Sequence, residues 1–455
     1  MMSTSIAAIA TPASPAGLGV IRISGADAIT IADTVFRPAR TGARLTDADG
    51  YTARYGHVFD ASGDLDDCVA LVFRAPHSYT GENVVEFSCH GGVYLLQRVL
   101  RAVIEAGARP ATAGEFTKRA FMNGKLDLTG AEAVMQVIAA DGQLSVKTAA
   151  AAREGAIFRA LAQVKQQLTQ AASQFAAYID YPDDDIPDLP VEDLQAVLHQ
   201  AEDGLAALLA TFDAGRVIRE GVDTVIVGSP NVGKSTLMNR LAGCDCSIVT
   251  PIAGTTRDIV EQTVRLGDVT LRLADTAGLH DGVDEVESIG IERARARMQR
   301  AALVLAVFDS SRSLEEDDLT LMSALEGQTA IAIVNKADMP AAWDAQQLNG
   351  FSHVVRISAA NGDGVDQLTD AVAQVTGVAG ITGDEPILAT ERQRDCAGRA
   401  IAGVREALFA LDSGLTPDAA AISIDCAIGA IGELTGERAS EAVIDDIFAR
   451  FCVGK

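Results

Sequence analysis

At 455 residues and ~150 residues per domain, the chain is long enough for about three domains, each with its own core. Its 37 basic and 62 acidic residues leave a net charge of -25, which excludes wholesale electrostatic coating of a nucleic acid and confines any RNA contact to a local or shared surface. The seven cysteines, at 68, 89, 244, 246, 396, 426 and 452, are odd in number and lack paired spacing, which argues against a disulfide framework and fits a reducing cytoplasm.

The first residues do not read as a secretory signal: no basic residue precedes Arg22, and Pro12 and Pro15 break the apolar run. No apolar span of 18 residues is present, so no membrane segment is expected. Residues 1–120 read as an α/β domain. Strand-like runs lie at 5–10 and 19–24, with a Pro/Gly turn between them, and again at 68–73 and 84–89. Residues 95–106 have helical apolar spacing behind Gly91-Gly92. This stretch holds no catalytic triad or metal signature, and composition leaves its ligand open.

From about residue 125 the texture becomes Ala-rich helix. Ile157, Leu161, Val164, Leu168, Ala171, Phe175 and Tyr178 alternate steps of four and three, which predicts a core-packing seam on one long helix. Pro182, Pro187 and Pro190 break the pattern in an acidic segment, 180–188, whose aspartates suit a solvated turn, with a metal site as the alternative. A second seam follows at Leu194, Leu198, Ala201, Leu205 and Leu208.

Residues 224–227 then form a β-branched strand that turns through Gly228 to Gly233 and continues as helix from Lys234. This is Gly-x-x-x-x-Gly-Lys-Ser, a phosphate-binding loop. A polyanion must be wrapped by backbone N–H groups, which only a Cβ-poor turn aims inward. Asn231, Val232, Gly233, Lys234, Ser235 and Thr236 are the expected phosphate contacts, with Lys234 on the β- and γ-phosphates and Ser235 on Mg2+. Cys244 and Cys246 lack a second ligand pair and do not suggest a metal site. Asp275, Thr276, Ala277 and Gly278 follow another strand, where Asp275 suits water-mediated Mg2+ binding and the Gly278 N–H suits the γ-phosphate. Asn335-Lys336-Ala337-Asp338 comes next, the Asp338 carboxylate matching the paired N–H edge of guanine, and Ser358, Ala359 and Ala360 suit recognition of guanine O6. In this order the strings resemble the translation-factor-like GTPase superfamily over residues 216–378.

Leu279 stands where Ras-like proteins carry a water-orienting glutamine, and an apolar side chain cannot do that work. Asn231, together with Gly254-Thr255-Thr256-Arg257-Asp258, resembles GTPases that use K+ in place of an arginine finger; the alternative is an ordinary Asn turn and a switch loop without an ion. Helical spacing returns from about residue 391, at Ile401, Val404, Leu408, Leu411, Ile424, Ile428 and Ile431. The expected fold is therefore multidomain α/β. It comprises an N-terminal α/β domain (1–120), an all-helical domain in two parts (121–215 and 379–455), and an inserted Ras-like P-loop G domain (216–378) with a mixed, mostly parallel sheet.

The final residues sharpen the resemblance. Leu434-Thr435-Gly436-Glu437 and the run Ile447-Phe448-Ala449-Arg450-Phe451-Cys452-Val453-Gly454-Lys455 join Tyr79-Thr80-Gly81-Glu82, His90-Gly91-Gly92 and Gly114-Glu115-Phe116. With these, and with the strings at 19–25 and 120–128, nearly the whole chain resembles the MnmE (TrmE) family of tRNA modification GTPases. Val453, where isoleucine is commoner, and a looser Glu441-Ala442-Val443 depart from the family pattern without removing a functional group.

The resemblance implies a homodimer whose N-terminal domain binds 5-formyl- or 5,10-methylene-tetrahydrofolate, with Arg22, Glu86, Lys125 and Lys455 at the folate-contacting positions. Read from the residues alone, these four are surface ion-pair residues. It further implies Ser235 and Thr256 as Mg2+ ligands and Asn231, Thr250, Ile252 and Thr255 as K+ ligands, with Thr250, Thr255 and Thr256 also on GTP. Glu287 would position water in place of the missing glutamine. Cys452 would act near the folate, the other reading being a buried structural thiol; the terminal tetrapeptide makes a poor prenylation box. The implied activity, with an FAD-binding partner of the MnmG (GidA) type in a heterotetramer or larger complex, is addition of carboxymethylaminomethyl or aminomethyl to C5 of the wobble uridine U34 of tRNA, in the cytoplasm and away from membranes. The alternative is a regulatory GTPase of ribosome assembly of the Era or Der kind, which would be expected to carry a basic RNA-binding appendage.

Overall fold

The computed structural model describes residues 5–180, 191–243, 261–274 and 301–455, together with Met298 and Arg300. The chain divides into two compact units, one of residues 1–135, 152–202 and 396–455, the other of residues 136–151 and 203–395.

The first unit holds a seven-stranded sheet: β1 (Ile6–Ile9), β2 (Ala16–Ser24), β3 (Phe36–Pro38), β4 (Thr52–Asp60), β5 (Gly63–Phe73), β6 (Val84–Gly91) and β7 (Arg109–Pro110). Their order is β3-β4-β5-β6-β2-β1-β7, antiparallel throughout except for the parallel pair β1 and β7. The pleat sorts alternate residues to opposite faces, so Cys68, Ala70 and Val72 go inward while Val69 faces out. The helix Val93–Glu105 covers the buried face with Leu96, Val99, Ala102 and Val103, a spacing that keeps one stripe apolar. Each of the four expected strands and the helix is present. Strand β4 is not legible in the sequence, because of its nine residues only Gly56 and Val58 are buried. Gly56 is required there: a Cβ would stand 2.3 Å from the Arg37 carbonyl oxygen on β3.

The long helix, Ala156–Asp180, buries Ile157, Leu161, Val164, Leu168, Ala171 and Phe175 as the spacing predicts, and packs along the helix Pro417–Thr435, in which Ile424, Ile428 and Ile431 are buried. Tyr178, expected on the same seam, is 38% exposed, so the seam ends at Phe175. All five residues of the second seam, in the helix Val191–Ala210, are buried. The prolines and most of the acidic segment lie outside the described residues. The helix Pro417–Thr435 begins with proline at its first turn and stops at Gly436, whose φ of 95° is left-handed. A side chain at Gly436 would meet the Leu128 Cβ at 2.7 Å and the Phe121 ring.

The second unit is built on a six-stranded sheet: β8 (Val222–Val227), β9 (Glu261–Leu266), β10 (Val269–Ala274), β11 (Leu303–Asp309), β12 (Ala330–Asn335) and β13 (His353–Arg356). The order is β13-β12-β11-β8-β10-β9; all pairs are parallel except the β9–β10 hairpin. Strands β11 and β12 are buried at every residue, the continuous apolar pattern of strands covered on both faces. In a parallel sheet the C-terminal strand ends share one edge. That edge carries the turn after β8, the residues after β12 and those after β13, which are three of the sequence motifs.

Candidate functional site

The turn between β8 and the helix Lys234–Ala242 takes left-handed φ values at Asn231 (63°) and Gly233 (100°), with Gly228 at 154°. Glycine is obligatory at both ends. A Cβ on Gly228 would lie 2.4 Å from the Val307 oxygen, and one on Gly233 would lie 2.2 Å from Asn335 Nδ2. Asparagine tolerates this conformation better than most side chains. Lys234 Nζ donates to the carbonyls of Gly228 and Ser229, both at 2.8 Å, which holds the ammonium across the mouth of the turn. Burial draws its pKa below the usual 10.5. A partly desolvated cation beside the unpaired N–H groups of a helix start is an anion site. Ser235 and Thr236 are exposed in that first helical turn, while Val232 is fully buried beneath it.

Asn335, only 2% exposed, ends β12. Its Nδ2 donates to the Val232 oxygen at 2.8 Å and its Oδ1 accepts from the Ala359 N–H at 3.0 Å, so one amide ties three motifs together. The Lys336 Nζ donates to Asp309 Oδ2 at 2.6 Å, and the Ser310 hydroxyl donates to the Lys336 carbonyl. Burial pushes the Asp309 carboxyl up, but Lys336 and Ser311 outweigh it and hold the carboxyl below its usual range. Asp338 is exposed, with no side-chain partner among the described residues. The Ser358 Oγ accepts from the Asn361 N–H, and Arg240 donates to the carbonyls of Ala359 and Ala360, which fixes this loop against the helix of the phosphate turn. Thr250, Ile252, Thr255, Thr256, Asp275, Thr276, Ala277, Gly278 and Glu287 lie outside the described residues.

Sequence reasoning missed two buried acids that brace these motifs. Asp309 anchors Lys336. Asp318, 1% exposed, accepts from the Ser229 hydroxyl at 2.5 Å on one oxygen and from Arg312 Nη1 and the Glu315 N–H, both at 3.0 Å, on the other. Ser229 belongs to the phosphate turn, so residues 309–318 link that turn to the base-side loop. In the sequence Asp318 looks like one more acid at a helix start.

A second cluster lies in the first unit. Arg22 on β2 faces Glu86 on β6 in register, and Arg22 Nε donates to Glu86 Oε1 at 2.7 Å, the side chains 16% and 21% exposed. The guanidinium carbon lies 5.6 Å from the ring centroids of both Tyr79 and Phe116, within cation–π range. Stretches that are distant in sequence meet here. Ala113 bridges to Val453, the Phe116 N–H donates to the Lys455 carbonyl at 3.2 Å, and Arg22 Nη1 donates to the Gly454 carbonyl at 3.3 Å. Gly454, at φ 98°, allows the fit, since a Cβ would stand 2.6 Å from the Ile9 oxygen. Burial, then Arg22, lower the Lys455 pKa, while Glu86 and Cys452 oppose them. Arg22, Glu86, Lys455 and Cys452 therefore converge. Lys125 stands off, its Nζ donating to the Pro76 carbonyl at 3.2 Å in the loop that carries Tyr79. Cys452 is exposed, which corrects the buried-thiol reading. Tyr79 and Phe116 sit inside recognised strings, but only the fold shows their rings against Arg22.

Beneath this cluster runs a ladder of charge. Ser24 donates to Glu82 at 2.7 Å, Arg119 bridges Glu82 (2.9 Å) and Glu115 (3.1 Å), and Arg109 closes on Glu115 at 2.9 Å. Burial pushes the Glu115 carboxyl up, yet Arg109, the Thr112 N–H and Arg119 outweigh it and hold it at about 2.

A phosphate turn, an Asn-Lys-x-Asp loop and a Ser-Ala-Ala loop at one edge of a mostly parallel sheet define a P-loop protein of the G-domain class. Family models described as "GTP-binding protein TrmE N-terminus" and "MnmE helical domain" match residues 5–125 and 128–452. The tRNA modification GTPase MnmE of Symbiobacterium thermophilum is 42% identical over all of both chains, and that of Geobacter sulfurreducens is 40% identical over 99% of each. The chain belongs to the MnmE family of tRNA modification GTPases. A solved G domain, that of the T. maritima FeoB iron transporter, is 26% identical, covering 34% of this chain and 98% of that one with a TM-score of 0.26.

Two outcomes are expected. Replacing Asp318 by alanine strands the Ser229 hydroxyl, while Arg312 keeps Glu315 at 3.1 Å, and should weaken GDP binding by about tenfold in a fluorescent-nucleotide titration. Asp318→Asn, which keeps an acceptor for Ser229, should recover part of that loss; unchanged affinity in Asp318→Ala would refute the brace. Glu115, held at about 2 rather than 4.5, contributes stability that is fully present above pH 4.5 and is lost as pH falls through 2. In urea unfolding at stepped pH, the stability advantage of the wild type over Glu115→Gln should shrink across that window; a difference independent of pH would contradict it.

Proposed function

We propose that this protein couples GTP hydrolysis to modification of C5 of U34 in tRNA, adding carboxymethylaminomethyl or aminomethyl with a one-carbon unit from 5-formyl- or 5,10-methylene-tetrahydrofolate. The observation that carries the reading is the convergence of Cys452 and Lys455 on the Arg22–Glu86 pair and the rings of Tyr79 and Phe116. That donor set fits a folate: a carboxylate for the N–H edge of a pterin, ring faces for stacking, and cations for its anionic end. The folate supplies the one-carbon unit when bound. Arg22, Glu86 and Lys455 hold and orient it, Lys125 waits at the loop of Tyr79, and Cys452 presents its thiol at the surface beside them.

In the G domain, Lys234 meets the β- and γ-phosphates, and the N–H groups of residues 231–236 wrap them. Ser235 and Thr256 hold Mg2+. Asn231, Thr250, Ile252 and Thr255 hold K+, which offsets charge developing between the phosphates. The exposed turn position of Asn231 suits this ligand set. Asp275, Thr276, Ala277 and Gly278 face the γ-phosphate, and Glu287 positions the attacking water. Asp338 accepts from the guanine edge. Asn335 occupies the Ala359 N–H, which leaves that of Ala360 for guanine O6.

The functional boundaries are those of the sequence: 1–120 for folate and homodimer formation, 121–215 with 379–455 for the helical domain, and 216–378 for GTP. An FAD-binding MnmG (GidA) type partner brings the flavin and much of the tRNA surface, forming a heterotetramer or larger complex in the cytoplasm, which suits a chain of net charge -25. Among the described residues no helix is long and apolar enough to cross a membrane.

The reading is tested by mass spectrometry of tRNA nucleosides from a strain lacking the protein. Wild type should restore modified U34 and Cys452→Ser should not; full modification without the protein would end the proposal. Exchange of KCl for NaCl at equal ionic strength should slow GTP hydrolysis roughly tenfold or more. Equal rates would remove the K+ assignment alone.

A further inference from the structure

A cleft of about 610 Å³ in the first unit shares only Lys125 with the site described above. Phe121, Lys125, Asp127, Arg153, Phe158 and Arg159 are among its walls. Three cations share the cleft with three acids, Asp127, Glu154 and Glu437, so its lining is balanced in a chain of net charge -25, and what matters is which of these charges are already engaged. Among the described residues Lys125 and Arg159 form no ion pair, and the carboxylate paired with Arg153 is that of Glu154, 3.8 Å away. Two of the acids beside them are already engaged. Asp127 Oδ1 accepts from the N–H groups of Thr129 and Gly130 at 2.7 and 3.0 Å, and Glu437 pairs with Lys165. Glu154, the third, is 69% exposed.

Through Lys125 the cleft adjoins the loop that carries Tyr79. Lys125 lines it while donating to the Pro76 carbonyl, and the Lys125 side chain lies 3.5 Å from where a Gly81 Cβ would be. Tyr79, between those two loop positions, has its ring against Arg22 and lies within electrostatic reach of Arg153. A ligand seated on the Arg22–Glu86 pair thus has one cationic exit along Lys125 toward Arg153 and Arg159.

We propose that this cleft receives the γ-linked polyglutamate tail of a folate whose pterin sits at the Arg22–Glu86 pair, an inference that rests on the folate reading. Such a tail repeats a free carboxylate, a secondary amide and two methylenes. The carboxylates meet Lys125, Arg153 and Arg159, the amide N–H groups meet Glu154, and the rings of Phe121 and Phe158 cover the methylenes. A mixed wall of cations, an acceptor and aromatic faces matches this polymer better than a phosphodiester backbone, whose linkages offer no N–H donor.

The test is calorimetric titration of the full-length protein with 5-formyltetrahydrofolate carrying one glutamate or five. The pentaglutamate should bind about tenfold tighter at low salt, and added salt should erode that ratio. The double variant Arg153→Gln/Arg159→Gln should lose the ratio, and Arg153→Lys/Arg159→Lys should keep most of it. Equal affinity of the two forms in wild type would overturn the tail site and leave the folate reading standing; binding of neither would overturn both. A ratio that survives in the Gln double variant would overturn the assignment to this cleft. If the double variant does not fold, the single variants Arg153→Gln and Arg159→Gln take its place: each should lose part of the ratio, and an unchanged ratio in both would overturn the assignment to this cleft.

Discussion

The side-chain amide of Asn335 is the bond on which the nucleotide edge depends. Buried at the end of β12, it joins the Val232 carbonyl of the phosphate turn to the Ala359 N–H of the last recognition loop. A buried amide with both ends satisfied fixes distances as well as energy, because leaving either end unpaired costs the desolvation of that group. The absence of a Cβ on Gly233 lets Nδ2 approach so closely, which is why the glycine and the asparagine act as one device. Asp309 and Asp318 extend the brace by holding Lys336 and Ser229, so phosphate and base determinants share one rigid edge.

The Arg22 cluster meets a similar need by different means. Its rigidity comes from the closing residues of the chain, which lie against Phe116 and β1, and from the ladder Glu82–Arg119–Glu115–Arg109 below. Arg22 alternates with Ile21 and Ile23, so the strand that turns its apolar face to the core turns its cation to the site. Lys455 and Lys234 are alike in one respect. Burial lowers the pKa of each, which means that each ammonium has lost water that an anion can replace.

The two sites also differ in how local they are. The phosphate turn is made by the consecutive residues 228–235, whereas Arg22, Tyr79, Phe116 and Cys452 come from four separate stretches of the first unit. A local site announces itself in a string; a dispersed one is visible only through resemblance or through the fold. Tyr79, Phe116, Asp309, Asp318 and the cations Arg153 and Arg159 went unassigned for this reason. Each is an ordinary residue until a neighbour from elsewhere is placed against it.

Sequence alone determined the phosphate turn, the seams of the long helices and the four strands of the N-terminal region that alternate or run apolar, while the mostly parallel second sheet was expected only through the resemblance to G domains. The first three follow from short-range physics: glycine at left-handed positions, the 3.6-residue period of a helix and the apolar runs of covered strands. Only the tertiary structure decided that β4 pairs along nearly all of β5 despite its two buried residues, that Tyr178 leaves its seam, and that Cys452 is exposed. It also decided that the closing residues lie beside Arg22 and Glu86. Burial and pairing across hundreds of residues depend on which surfaces the packed chain brings together, and a local pattern carries no record of that choice.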